Sequence, residues 1–235
     1  MKGVRELQTL RFDEKQGLTI GAAVTLREII ESDTVTKRFP IIKESASTIG
    51  DSTLRNRATL VGNICNASPA TDSAPALLVL DAVVNIRKKS GIRSVPMREF
   101  FKGVKKTVLG RDELVTSVNV PLPPEGSRGG YLKARRVMGE DLAIVGVGGL
   151  ATENGNERKS IRLAYASVAP TPVRAFEAET IFRRQAPIQQ LLDEALPIVM
   201  KTISPISDVR GGREYRANLV RILTRRLVER LWEAS

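Results

Sequence analysis

The stretch Pro121-Leu-Pro-Pro-Glu-Gly-Ser-Arg-Gly-Gly130 limits what this chain can fold into more than any other segment. It holds three prolines and three glycines in ten residues. Proline fixes φ and removes an amide donor, and glycine raises the entropic cost of order, so no helix or central strand is expected to run through it. The chain is therefore expected to divide into residues 1–123 and residues 129–235. With 235 residues in all, each part is long enough to bury a core.

The first part reads as mixed. Residues 18–24 are apolar and end at Thr25, which suggests a short strand. Thr25-Leu-Arg-Glu28 fits a capping box, with Leu26, Ile29 and Ile30 on the face behind it. Pro40 opens a second helix to about residue 49, with Ile41, Ile42 and Ala46 inward. Residues 73–80 read as a buried helix with Pro75 in its first turn. Residues 82–87 and 93–96 form a hairpin about Ser90-Gly91, then residues 97–101 a short helix and 113–120 a strand. After the linker, strands are expected over 131–137, 142–151 and 161–168, with a turn at Asn154-Gly155-Asn156. Helices follow: one from Pro172, one over 188–200 that Pro197 ends or kinks early, and a long one over 214–232. In the last, Tyr215, Leu219, Ile222, Leu223, Leu227 and Leu231 form one apolar stripe. The expected class is α+β, the second part being a three-stranded antiparallel sheet plus three helices.

Side-chain chemistry is sparse. There is no histidine and one cysteine, Cys65. That removes Ser-His-Asp and Cys-His catalysis, histidine metal sites, an internal disulfide and any cysteine-held iron–sulfur cluster. A cofactor that carries its own chemistry, or no chemistry at all, is the better expectation. The formal charge is 37 − 26 = +11. Such a balance suits an anionic partner, and equally a solvated basic surface. Aromatics make up 4% of residues and none interleave with the basic clusters, so no nucleic-acid partner is expected. No apolar run is long enough to span a bilayer, and the start MKGVRELQTL lacks the apolar core of a signal peptide, so a cytoplasmic location is expected.

The stretch Ala58-Thr-Leu-Val-Gly-Asn-Ile-Cys-Asn-Ala-Ser-Pro-Ala-Thr-Asp72 sets small and hydroxyl residues between two apolar runs. Residues 59–63 offer successive backbone amides, and Gly62 permits close approach, so a phosphate could sit there. Asp72 could accept from a ribose hydroxyl. The same residues also fit a tight turn with Asp72 as the N-cap of the next helix. There is neither a G-x-G-x-x-G nor a Walker A pattern.

This stretch closely resembles the second FAD-binding motif of the flavin subunits of molybdenum hydroxylases, the family of the xanthine dehydrogenase flavin domain and the medium subunit of aerobic carbon monoxide dehydrogenase. Four further segments resemble that family in the expected order: Ile20-Gly-Ala-Ala-Val-Thr25, Tyr131-Leu-Lys-Ala-Arg-Arg-Val-Met-Gly-Glu-Asp-Leu-Ala-Ile-Val145, Val168-Ala-Pro-Thr-Pro-Val-Arg174 and Ser207-Asp-Val-Arg-Gly-Gly-Arg-Glu-Tyr-Arg216. The resemblance implies an FAD-binding domain of the PCMH type (its second subdomain) over residues 1–123, then a domain like the carbon monoxide dehydrogenase flavoprotein C-terminal domain over 129–235. It implies that Thr59, Leu60, Val61, Gly62 and Asn63 wrap FAD, the Thr59 hydroxyl included. It also implies that Asp72 and Lys133 bind the cofactor, that Val115 offers a backbone contact near the flavin and that Ile49 lies against it. It implies a hetero-oligomer with a [2Fe–2S] small subunit and a molybdopterin large subunit, electrons passing through the flavin to an external acceptor.

Two departures from the family pattern bear on this. The family carries two adjacent glycines where this chain has Val61-Gly62, so a narrower backbone approach is expected. The family also has a preceding subdomain with an Ala-Gly-Gly-Thr-Asp type loop that cradles the other side of the diphosphate, and this chain starts after it. A flavin-free structural subunit of the same complex is the alternative. Cys65 is expected to be a small buried hydrophobe, and Asp208 and Arg210 to fix the approach to the last helix.

Overall fold

The computed structural model describes residues 3–137, 141–154 and 158–233. After a 3-10 turn at Arg5–Leu7, strands β1 (Leu10–Asp13) and β2 (Gly17–Gly21) form a hairpin. Helices α1 (Leu26–Glu31), α2 (Asp33–Arg38), α3 (Pro40–Ser47), α4 (Ser52–Arg55), α5 (Leu60–Cys65) and α6 (Ser73–Val79) follow. Strands β3 (Val83–Lys88) and β4 (Gly91–Pro96) come next, then α7 (Met97–Phe100), the small hairpin β5 (Phe101–Gly103) and β6 (Lys106–Thr107), and β7 (Leu114–Val120). Among the described residues the larger sheet here has the order β1-β2-β7-β3-β4, antiparallel throughout.

The local causes are visible. Thr25 Oγ1 accepts from the Glu28 amide while the Glu28 carboxylate accepts from the Thr25 amide at 2.7 Å, so the capping box forms as its spacing requires. Pro40 stands at the start of α3, which buries Ile41, Ile42 and Ala46. One buried cluster joins these residues to Leu18, Ile20, Leu60, Ile64, Leu77, Val84 and Val118.

The second part begins with β8 (Arg128–Ala134), β9 (Val145–Asn154) and β10 (Arg158–Ala166). The linker is thus shorter than its composition implied, because Gly129 and Gly130 enter β8. The expected three-stranded sheet is corrected to four strands: β11 (Val173–Arg174) pairs with β10 at the edge, in the order β11-β10-β9-β8. Pro172 therefore starts no helix. The Arg174 guanidinium draws the chain outward to Glu179 at 2.7 Å and to Asp81 at 2.5 Å, and α8 (Phe176–Ile181) begins only afterwards. Helix α9 (Ile188–Thr202) runs through Pro197 instead of stopping there. Leu191, Leu192, Ala195 and Val199 are buried along it, and four such side chains outweigh the roughly 3 kcal/mol that an interior proline costs. Helix α10 (Arg213–Glu233) closes the fold. The turn expected at residues 154–156 lies, from Gly155 on, outside the described residues.

The second sheet is covered on both faces, and its paired glycines explain how. A Cβ on Gly129 would lie 2.9 Å from Ile41 of α3, and one on Gly148 would lie 2.9 Å from Pro75 of α6. On the other face, a Cβ on Gly149 would lie 3.0 Å from Leu231 of α10. Successive strand residues point to opposite faces, so each glycine pair lets helices of the first part and α10 approach together. The two parts therefore pack as one body.

Candidate functional site

The segment from residue 58 to residue 72 wraps the junction of the two parts. An isolated antiparallel bridge joins Thr59 to Thr25, with the Leu26 amide donating to the Ala58 carbonyl at 2.9 Å. Thr59 then caps α5: its hydroxyl accepts from the Gly62 amide at 2.9 Å, and its carbonyl accepts from the Asn63 amide at 3.0 Å. The stretch is thus a short helix, not an open turn, and two of its amides are used within it. Leu60 and Val61 face the core, whereas Gly62 is exposed. Val61 does not crowd the outer edge, because its side chain is buried. A Cβ on Gly62 would stand 3.0 Å from Thr59 Oγ1, closer than a side chain there sits comfortably. Asn63 Oδ1 accepts from the Ser73 hydroxyl at 2.6 Å, and its Nδ2 donates to no described residue. Thr59, Gly62 and Asn63 therefore form one small, polar, accessible edge.

Asp72 does something different. It holds the N-cap position of α6, yet its side chain makes no cap bond, so the N-cap reading is corrected. Oδ1 accepts from the Tyr131 hydroxyl at 2.7 Å, and Oδ2 accepts from Lys133 Nζ at 2.9 Å. Lys133 Nζ also donates to the Thr48 carbonyl at 3.0 Å. The Lys133 and Asp72 side chains are only 4% and 5% exposed. Burial pushes the Asp72 carboxyl above its ordinary range, while Lys133 and the Tyr131 hydroxyl pull it back down. Burial, then the neighbouring Asp72 charge, pushes the Tyr131 phenol well above its usual value. Tyr131 and Lys133 are two apart on β8 and so share a face.

Ile49 follows α3 and is buried beside Gly50, whose φ is +56°. The Ile49 and Gly50 carbonyls accept from Arg55 Nη1 at 3.2 and 2.7 Å. The 48–50 turn is therefore held by two cations, Lys133 and Arg55. Val115 is buried on β7, next to a bulge at which Ile86 pairs with Val115 and Asn85 with Ser117. Helix α5 packs against that strand.

The structure thus separates the expected site residues. Thr59, Gly62 and Asn63 share the accessible edge, while Leu60, Val61, Val115 and Ile49 stand behind it in the core. Asp72 and Lys133 close on each other. Sequence reasoning missed Tyr131, Arg55 and Gly146, where a Cβ would run into the Tyr131 hydroxyl. The Tyr-x-Lys spacing on a strand was the signal available for Tyr131.

The family described as the FAD binding domain in molybdopterin dehydrogenase matches residues 1–123, and the CO dehydrogenase flavoprotein C-terminal domain matches residues 130–231. The chain belongs to this flavoprotein-subunit family. It is 36% identical to the glyceraldehyde dehydrogenase medium chain of Sulfolobus acidocaldarius, over 88% of this chain and 73% of that one. It is 30% identical to the carbon monoxide dehydrogenase medium chain of Afipia carboxidovorans, over 98% and 79% of the two chains. It is also 30% identical to the xanthine dehydrogenase FAD-binding subunit of Escherichia coli O157:H7, over 95% and 77%. Among solved structures, reconstituted CO dehydrogenase from Oligotropha carboxidovorans superposes with a TM-score of 0.93 at 30% identity, covering 98% of this chain and 80% of that one. These relatives are oxidoreductase subunits, several named as medium chains. Among the described residues no helix is long and apolar enough to cross a membrane.

Proposed function

We propose that this chain is the FAD-binding subunit of a molybdenum-containing hydroxylase or dehydrogenase. The observation that carries the reading is the match of an FAD-binding family across residues 1–123, the part that contains the 59–63 edge. The geometry fits such a group in a specific way. An edge with an exposed glycine, a threonine hydroxyl and an amide Nδ2 that donates to no described residue suits a polar diphosphate, and a side chain at Gly62 would crowd the Thr59 hydroxyl. Thr59, Gly62 and Asn63 would hold the cofactor there, with Ile49 and Val115 behind as apolar support.

FAD, when bound, would supply the redox chemistry that passes electrons from a partner's [2Fe–2S] clusters to an external acceptor. This chain's residues bind and orient. Lys133 and Arg55 fix the 48–50 turn through its carbonyls, and the Asp72–Lys133 pair braces that turn against α6. Asp72 and Lys133 act here as supports, because both are buried and bonded to each other, to the Tyr131 hydroxyl and to the Thr48 carbonyl. The partners are an iron–sulfur small subunit and a molybdopterin large subunit, and the assembly works in the cytoplasm.

The test is to titrate the purified chain with FAD and with FMN and follow flavin fluorescence. The reading expects saturable binding of FAD and at least tenfold weaker binding of FMN, which lacks the diphosphate. Equal affinity for both would remove the role of the edge, and no binding of either would leave a structural subunit.

A further inference from the structure

A hollow of about 380 Å³ opens where the two parts meet, and none of residues 59–63 line it. Pro69, Ala169 and Pro170 give it an apolar lining, with Lys105 and Arg210 at its sides. Its shape is held under strain. Ala67, Lys105 and Ser167 have φ of 46°, 59° and 68°, values that non-glycine residues rarely adopt. The Lys105 amide donates to the Ala67 carbonyl at 2.8 Å and the Ser167 amide to the Pro69 carbonyl at 2.7 Å, which locks all three segments together. Strain of this kind persists only where the surroundings hold it, and it gathers at functional positions.

The surface around the hollow is apolar and bare. Val104 is 52% exposed, Ile206 63% and Val209 89%. The charges beside them are mainly positive. Among the described residues Lys105 Nζ has only the neutral Asn66 Oδ1 as partner, at 2.7 Å. Asp208 is shared by Arg216 at 2.7 Å and Arg210 at 3.7 Å, so two cations face one carboxylate there, and Arg136, paired with Asp141 at 3.3 Å, donates to the Val209 carbonyl at 3.3 Å. A small molecule would fill the hollow but leave Ile206 and Val209 in water. A second copy of the chain would bring a formal charge of +11 against +11.

We propose that this face docks an acidic segment of a partner subunit, which seats one apolar side chain in the hollow and sets carboxylates against Lys105 and Arg210. The inference rests on the reading of the chain as one subunit of a larger oxidoreductase. Apolar anchors in desolvated pockets carry most of the binding energy of such contacts, and the flanking charges steer the approach.

The test uses the full chain and the iron–sulfur and molybdopterin subunits of its own complex, with binding measured by surface plasmon resonance. One of the two subunits should bind the wild-type chain, more weakly as salt is raised. The double variant Ile206→Glu/Val209→Glu should lose at least tenfold in affinity, and Lys105→Glu/Arg210→Glu should lose a similar factor. Ile92→Glu, on the exposed edge strand β4, should bind as wild type does, and thermal melting of all variants should match wild type. FAD titration of the same preparations reads the flavin assignment separately and should be unchanged. Unaltered binding by both double variants, binding of neither subunit to wild type, an equal loss from Ile92→Glu, or self-association through these residues would each overturn the proposal.

Discussion

Replacing Lys133 by methionine tests the buried pair at the junction of the two parts. The substitution keeps the length of the side chain but leaves the Asp72 carboxylate with the Tyr131 hydroxyl as its hydrogen-bond partner among the described residues, and with the weaker pull of Arg135. Breaking a buried pair from one side costs about 3–5 kcal/mol, a large share of the roughly 5–15 kcal/mol that holds a typical domain. The loss of the bond to the Thr48 carbonyl adds to it. Asp72→Leu alone strands the ammonium and should cost a similar amount. The double variant Asp72→Leu/Lys133→Met removes both charges, and its cost should fall well below the sum of the single costs. The pH dependence has a definite sign. Burial already holds the Asp72 carboxyl above its ordinary value, and removing the cation raises it further. A group raised in the folded state contributes stability below its unfolded pKa of about 3.9 and loses it as pH rises through the folded value. Lys133→Met should therefore be least destabilised near pH 4 and progressively worse toward pH 7. Urea unfolding followed by circular dichroism measures all of this. Single costs below about 1 kcal/mol, or additive costs in the double variant, would refute the reasoning.

Gly146→Ala should destabilise by about 1–3 kcal/mol because its Cβ would strike the Tyr131 hydroxyl, and adding Tyr131→Phe should recover part of that in the same unfolding assay. The Arg93 guanidinium, then the Gly110 amide, holds the Glu113 carboxyl down at about 2. Its contribution should be present above pH 4.5 and lost as pH falls toward 2, so Glu113→Gln should flatten the acid limb of the melting-temperature profile. Burial pushes the Cys65 thiol up to about 11, so iodoacetamide should alkylate it far more slowly at pH 8 than it alkylates a free thiol, as mass spectrometry would read.

The elements that could be read from the sequence are those whose signal is local. The Thr25 capping box, the Pro40 start of α3 and the Ser90-Gly91 hairpin each need only neighbouring residues, and each formed. The failures come from tertiary partners. The edge strand β11 exists because Arg174 finds Asp81 and Glu179, which lie 93 and 5 residues away in sequence. Helix α9 survives Pro197 because its other side chains fill the second core. Helix α5 forms where a turn is expected: Gly62 and Asn63 are poor helix formers, but the Thr59 cap and the apolar Leu60, Val61 and Ile64 outweigh them. For the candidate site, the resemblance pointed to the segment from residue 58 to residue 72, in which Thr59, Gly62 and Asn63 share an accessible edge. It did not tell apart the exposed edge from the buried Asp72–Lys133 pair, because that distinction depends on which groups meet across the junction.

The central claim is that the small polar edge at Thr59, Gly62 and Asn63 holds the diphosphate of FAD. Its most direct test is the dissociation constant for FAD of Thr59→Ala/Gly62→Val against wild type, with melting temperature as a check on folding. Each lost charge-assisted hydrogen bond is worth about 1.5–3 kcal/mol, so the account predicts weakening by about tenfold or more, with loss of the cap costing only about 1 kcal/mol of stability. A folded double variant that binds FAD as tightly as wild type would contradict it.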